Sequence, residues 1–250
     1  MSITERELDV TVEGSKLDAG VAIPSDPRGV VLLLHGLPSI NPPEPGDLGY
    51  PGFAQLAAAE GWLAVWGDMR AVRASEGFFS MEGWVRDATE FVRIARSLEE
   101  ARSLPFAFVG SSAGGAVGTE VVARGTQVDA LALLAAPASW ISFAGDPATA
   151  LQMVQLQAGM ALAPESIADP EAWAAEYEVV TTERSIGKID VPTLIMHGDV
   201  DEVVPVEHAY RLKEAAPDAR LEIVSGAPHQ LRRHEVATRL LFDWLGEVLA

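Results

Sequence analysis

The chain has 250 residues, 48% of them hydrophobic, which suits one large α/β domain with a sizeable core and room for a small insertion, but not a second full domain. Its 36 acidic against 18 basic residues give a net charge of -18, which repels phosphate backbones and anionic lipid surfaces and argues against nucleic-acid or membrane partners. There is no cysteine, so disulfides, thiolate nucleophiles and thiolate metal sites are excluded and any covalent chemistry must use another nucleophile.

The charged segment Met1 to Val10 lacks the apolar centre of a signal peptide, and no apolar run reaches the roughly 18 residues a membrane helix needs, so a cytoplasmic protein is expected. Glu5 to Glu13 and Lys16 to Pro24 alternate modestly about Gly14-Ser15, which predicts an antiparallel hairpin at a sheet edge. Val30 to Leu34 is apolar on both faces, as a central parallel strand covered above and below must be. The proline- and glycine-rich run from Leu37 to Gly52 predicts a loop, Phe53 to Glu60 a helix stopped by Gly61, and Trp62 to Trp66 a strand. Met81 to Glu100 is amphipathic, with Trp84, Ala88, Phe91, Val92 and Ala95 on one stripe.

The run from Pro105 to Gly118 passes from a buried strand, Phe106 to Val109, through Gly110-Ser111-Ser112-Ala113-Gly114 into a helix of small residues. This is the G-x-S-x-G pattern of a nucleophile elbow, in which the serine occupies a sharp turn and only residues without bulk fit beside it. Ser112 is the candidate nucleophile. Further strands are predicted at Val128 to Ala135, Val191 to His197 and Arg220 to Val224, with helices at Val206 to Ala216 and Leu231 to Leu249. Strand and helix alternate from residue 29 onward, which predicts a mostly parallel central sheet with helices on both faces and functional residues beyond the strands' carboxyl ends. Between Pro137 and Asp190 no strand is legible; helical patterns at Ala148 to Ala161 and Glu171 to Val179 predict an inserted helical cap around residues 138-188, leaving 1-137 and 189-250 as the core. Trp140, Phe143, Met153 and Met160 are candidates to line a pocket there, or simply to glue the cap to the body.

A serine hydroxyl becomes a useful nucleophile when an imidazole takes its proton, and the imidazole needs a carboxylate to fix its tautomer. Asp199, Asp201 and Glu202 all follow the strand ending at His197. Of the five histidines, His35 and His197 end buried strands, and His208 and His234 fall in predicted helices, while His229 lies just past the last strand. His229 is the candidate base.

With His35-Gly36 after the central strand, Gly-Ser-Ser-Ala-Gly-Gly at the elbow, Val191 to Pro205 around the acids and Gly-Ala-Pro-His before the last helix, the chain resembles an α/β-hydrolase from Gly29 to its C-terminus. The resemblance implies a cofactor-independent serine hydrolase, with a carboxylesterase acting on small acyl esters as its leading expectation. It places the acid at the fourth position of Gly-x-x-Asp, Asp201, and the oxyanion donors at the backbone N-H groups of Ala113 and Leu37; Pro38 has none to offer. Thioesters, amides and carbon-carbon bonds are alternatives on the same residues, and a non-catalytic ligand-binding protein is the rival from another class. A large oligopeptidase is expected to need a gating domain, for which 250 residues leave no room. Relatives often carry Asp-x-Arg-Gly-x-Gly-x-Ser-x-Gly, whereas Asp68 to Gly77 has Ala71 and Arg73 at the inner glycine positions. The loop is therefore expected to take less extreme backbone angles or to place Arg73 differently, with Arg70 or Arg73 reaching the pocket to favour a polar or carboxylate-bearing substrate. No metal or phosphate-cradling signature is present, and no cofactor is implied.

Overall fold

The computed structural model describes residues 2–41, 44–140 and 146–249. Strands β1 (Ile3–Glu7) and β4 (Ala19–Pro24) pair antiparallel, and β4 pairs antiparallel with β6 (Trp62–Gly67). The N-terminal hairpin bends midway, and its tip, β2 (Val10–Val12) and β3 (Ser15–Leu17), forms a separate two-stranded sheet. Its two-residue turn, Glu13-Gly14, has positive φ at both positions, the twist that suits a tight hairpin. The other strands of the main sheet run parallel: β5 (Gly29–Leu34), β7 (Phe106–Ser111), β8 (Ala130–Leu134), β9 (Thr193–Gly198) and β10 (Arg220–Val224). The eight strands lie in the order β1-β4-β6-β5-β7-β8-β9-β10.

Strand periodicity divides the core into two layers. Val30, Leu32 and Leu34 of β5, with Phe106 and Phe108 of β7, pack against α2 (Met81–Ser97) and α3 (Ala113–Ala123). Val31 and Leu33, with Ala107 and Val109, face α1 (Gly49–Ala59) and the C-terminal helix α9 (Glu235–Val248). This two-sided burial is why the central strands read as unbroken apolar runs. The predicted stripe of α2 is buried throughout, and the helix begins where the Ser80 hydroxyl accepts the Gly83 N-H at 2.9 Å. Phe91 of that stripe fills the space over Gly67, where any Cβ would collide with its ring; removing such a side chain costs about 3–5 kcal/mol. The arrangement is the α/β-hydrolase fold.

Between β8 and β9 the described residues form helices α4 (Pro147–Gln157), α5 (Pro164–Ala168), α6 (Pro170–Val179) and α7 (Thr182–Ile186). Three of these four begin at a proline, whose fixed φ and missing N-H suit a first helical position. Polar anchors hold the helices to α2 and α3: the Ser185 hydroxyl donates to buried Glu120 at 2.5 Å, and Glu176 accepts the Glu82 N-H at 3.1 Å. Helix α8 (Glu207–Ala215) separates β9 from β10. No helix among the described residues is long and apolar enough to cross a membrane.

Candidate active site

Strand β7 ends at Ser111 and helix α3 starts at Ala113, so the whole change of direction falls on Ser112, with φ 52° and ψ -123°. A non-glycine residue is held there at a cost of order 1–3 kcal/mol because its surroundings leave no alternative. Its N-H donates to the Leu134 carbonyl at 2.8 Å and its own carbonyl accepts the Gly115 N-H at 2.9 Å. The neighbouring glycines are required by close approach. A Cβ on Gly114 would lie 2.8 Å from the Leu34 carbonyl oxygen, one on Gly115 2.7 Å from Ala136 Cβ, and one on Gly36 2.6 Å from Ser112 Cβ. The serine hydroxyl is thereby presented at the carboxyl rim of the sheet, above the N-terminus of α3.

Two strands further along the sheet, the loop after β9 carries Asp201, whose carboxylate is fully buried. Oδ1 accepts the N-H groups of Val203 at 2.9 Å and Val204 at 2.8 Å. Oδ2 lies 2.7 Å from His229 Nδ1, a distance at which the ring N-H donates to the carboxylate. Burial works to raise the carboxyl pKa, but hydrogen bonds from His197, His229 and the Val204 N-H outweigh it and hold Asp201 well below the usual carboxylate range. The competing acids are occupied differently. Asp199 ties its loop to the turn after β10, accepting from Gly226 N-H at 2.6 Å and the Ser225 hydroxyl at 3.1 Å, and Glu202 is exposed.

Ser112 and His229 line one cavity of about 500 Å³, together with His35, Gly36 and Leu37. Leu37 directs no backbone hydrogen bond to another described residue, and Ala113 is the first residue of α3, where N-H groups lack intrahelical acceptors. His35, beneath the cavity, accepts the Met69 N-H at Nε2 (3.0 Å), and its Nδ1 lies 2.6 Å from the Gly36 carbonyl; burial pushes its pKa down. His208 accepts the Ala138 N-H at 2.9 Å, and His234 immediately precedes α9 rather than lying inside it.

The loop from Asp68 to Gly77 corrects one expectation. Ala71 and Arg73 keep left-handed backbones, with φ 63° and 48°, although neither is glycine. An L-residue there costs about 1–2 kcal/mol, and the loop holds because its ends are pinned from several sides. Ala71 N-H donates to Glu76 O at 3.2 Å, Glu76 N-H to Lys16 O at 2.9 Å, and the Ser75 hydroxyl to Asp68 O at 2.5 Å. Arg70 does not line the cavity; it is buried in a forked pair with Asp87 and a bond to Glu13. Arg73 does line it, half-exposed and ion-paired with buried Asp68.

Of the aromatic pocket candidates, Trp140 is buried away from the cavity lining, its indole N-H donating to Val180 O at 2.8 Å and its ring edge-on to Tyr177. Phe143 lies outside the described residues. Met160 is buried and Met153 exposed, and neither lines the cavity. Instead Tyr50 and Trp66, Asp18, and the bidentate Arg232–Asp47 pair (2.6 Å for both bonds) complete the wall. Asp47 comes from the proline-rich loop, which has no periodicity from which its inward residues could have been read, and Tyr50 from the first turn of α1, which starts at Gly49 rather than at the predicted Phe53.

Comparison with solved structures agrees with the fold. Est1E from Butyrivibrio proteoclasticus, solved with ferulic acid bound, superposes with a TM-score of 0.74 at 20% identity, covering 96% of this chain and 98% of that one. An esterase from Pyrococcus furiosus gives 0.72 at 17% identity, covering 99% and 94%. The acylaminoacyl peptidase of Pyrococcus horikoshii gives 0.73 at 16% identity, covering all of this chain but 42% of the peptidase. A Synechocystis relative that carries a non-heme chloroperoxidase name is 49% identical over 45 residues, and the match spans 18% of this chain and 16% of the relative's length. The family model of the prolyl oligopeptidase family matches residues 82–250, which include the elbow, Asp201 and His229. That family is narrower than the general α/β-hydrolase resemblance and is not a carboxylesterase assignment, so on the strength of a match over most of its length the chain belongs to the prolyl oligopeptidase family.

Proposed function

We propose that this protein is a serine hydrolase that cleaves carboxylic esters through an acyl-enzyme. The observation that carries the reading is the 2.7 Å contact of His229 Nδ1 with buried Asp201, on the same rim as a serine held at φ 52° in the cavity His229 lines. With Nδ1-H committed to Asp201, Nε2 is left as the basic nitrogen. Ser112 Oγ attacks the ester carbonyl while His229 Nε2 takes its proton. The oxyanion is received by the N-H groups of Leu37 and Ala113, preorganised donors at the turn and at the helix N-terminus. The imidazolium, stabilised by Asp201, then protonates the leaving alkoxide as the C–O bond breaks. Water, deprotonated by His229, attacks the acyl-enzyme, and the proton returns to Ser112 as the acid departs. In the same reading helices α4–α7 are the inserted cap, joined to the loop after β5 where the Gln157 carbonyl accepts the Ile40 N-H at 3.0 Å, although none of their residues lines the cavity.

The cavity wall holds three carboxylates, Asp18, Asp47 and Asp68, against two guanidiniums, Arg73 and Arg232. Both guanidiniums are already paired, which favours neutral polar esters over anionic ones. A second reading is cleavage of an acyl amide or peptide bond on the same residues. It is favoured by the family match and by the likeness to an acylaminoacyl peptidase, of which this chain spans under half.

A fluorophosphonate tests the chemistry: one equivalent on Ser112, abolished in Ser112→Ala, is expected, and folded wild type that takes no label rules the reading out. A panel of p-nitrophenyl esters beside a thioester, an anilide and a blocked peptide separates ester from amide preference.

A further inference from the structure

Asp201 is approached by a second imidazole. His197, the fifth residue of β9, is completely buried, and its Nε2 lies 2.8 Å from the Val204 carbonyl and 3.3 Å from Asp201 Oδ2. Both partners accept hydrogen bonds, so the hydrogen of this ring sits on Nε2 and is shared between them. The other ring nitrogen, Nδ1, is buried without a partner among the described residues, which agrees with an unprotonated nitrogen there. His229, on the same carboxylate oxygen, and His208, near His197, are the other titratable groups at this spot.

We propose that His197 is a positioning residue for the acid of the triad, holding the Asp201 carboxylate in the one rotamer that serves His229. The inference rests on the serine-hydrolase reading above. A buried carboxylate has about four acceptor directions, and here all are taken: two backbone N-H groups on Oδ1 and two imidazoles on Oδ2. With two donors on each oxygen the group cannot rotate without breaking bonds that no water replaces. Val204 closes the arrangement, since its N-H goes to Asp201 and its carbonyl to His197. The ring N-H of His197 also draws charge from Oδ2, so Asp201 stabilises the imidazolium of His229 less strongly than a carboxylate bonded to His229 alone.

The test compares His197→Leu, which removes the donor at similar volume, with His197→Gln, whose amide N-H reaches about as far as Nε2. The leucine variant is expected to lose about 10- to 100-fold in kcat/KM. The loss should fall on kcat, with the acid limb of the pH profile moved to higher pH because Asp201 then holds the imidazolium more tightly. The glutamine variant should return to within about fivefold of wild type with the limb restored. Leucine and glutamine variants that melt like wild type and are equally active, or equally impaired with an unmoved limb, overturn the proposal. Should the leucine variant not fold, ¹⁵N NMR of the wild-type imidazoles decides. A proton on His197 Nε2 whose shift changes in Asp201→Ala supports the proposal, and a proton on Nδ1 overturns it. Wild type that is not labelled at Ser112 by a fluorophosphonate sinks the hydrolase reading instead, an outcome the NMR measurement does not share.

Discussion

A single methyl group at Gly36 probes the geometry most directly. The Cβ of Gly36→Ala would stand 2.6 Å from Ser112 Cβ and 3.1 Å from both Ser112 Oγ and the Ser111 carbonyl oxygen. Carbon atoms pack at about 3.5–4.0 Å, so roughly 1 Å must be opened between the loop after β5 and the elbow. The elbow resists, since Ser112 is bonded to Leu134 and to the first turn of α3, and the alternative is to move the loop that carries the Leu37 N-H. Either way the proposed nucleophile and its proposed oxyanion donor separate. Overpacking of this size costs about 1–3 kcal/mol of stability, and a 1 Å misplacement at a reacting centre costs about 100-fold in rate, equivalent to about 2.7 kcal/mol. The assay is kcat/KM on a p-nitrophenyl ester, with fluorophosphonate labelling rate and thermal melting measured on the same preparations. Gly125→Ala is the control: φ is 98° there, nothing lies within 4 Å of the added carbon, and the position does not line the cavity. It should lose about 1 kcal/mol of stability and no activity. Activity of Gly36→Ala within about threefold of wild type, with a melting loss like that of Gly125→Ala, refutes the placement of the reacting centre between the two turns.

Asp201→Asn keeps the shape but turns a donor toward His229 Nδ1, forcing the ring into the wrong tautomer; kcat/KM should fall about 10⁴-fold, and a loss under about tenfold would remove Asp201 from the triad. Ala71→Gly relieves a left-handed backbone at φ 63° and should gain about 0.5–1 kcal/mol in urea unfolding after the entropy of the added glycine is counted, whereas a loss would mean that the loop does not hold that angle. The Arg232 guanidinium, and after it the Gly49 N-H, hold the Asp47 carboxyl down to about 2 against the opposing effect of burial. Because the folded pKa is depressed, the stabilisation is full above about pH 4 and is lost as pH falls toward about 2; wild type should therefore lose about 1 kcal/mol more than Asp47→Asn between about pH 6 and about pH 3 in denaturant titrations. Arg73→Ala leaves the three carboxylates of the cavity facing one guanidinium and should lower the turnover of acidic relative to neutral esters about three- to tenfold; an unchanged ratio places Arg73 outside substrate selection.

The local chemistry of this chain was legible from its residues alone. Apolar runs with no alternation, Val30 to Leu34 and Phe106 to Val109, required strands covered on both faces, and Gly110, Gly114 and Gly115 required a turn of closest approach, because such statements depend on neighbours within a few positions. That locality also explains why the order of elements from residue 29 onward and the mostly parallel sheet were foreseeable. Tertiary structure decided what depends on residues far apart. Ala71 and Arg73 look incompatible with a left-handed loop, yet Lys16, far away in sequence, holds the segment in that shape through its bonds to Glu76. The cavity wall is built by Asp18, Asp47, Tyr50 and Arg232 from three distant stretches of the chain, while Trp140, legible as a pocket aromatic, turned inward to bond Val180. His197 read as a strand end, and only the fold brings its ring against the carboxylate that His229 also holds. Periodicity and turn chemistry are properties of short stretches of chain, whereas a site is a coincidence of side chains that becomes definite once packing has fixed their distances.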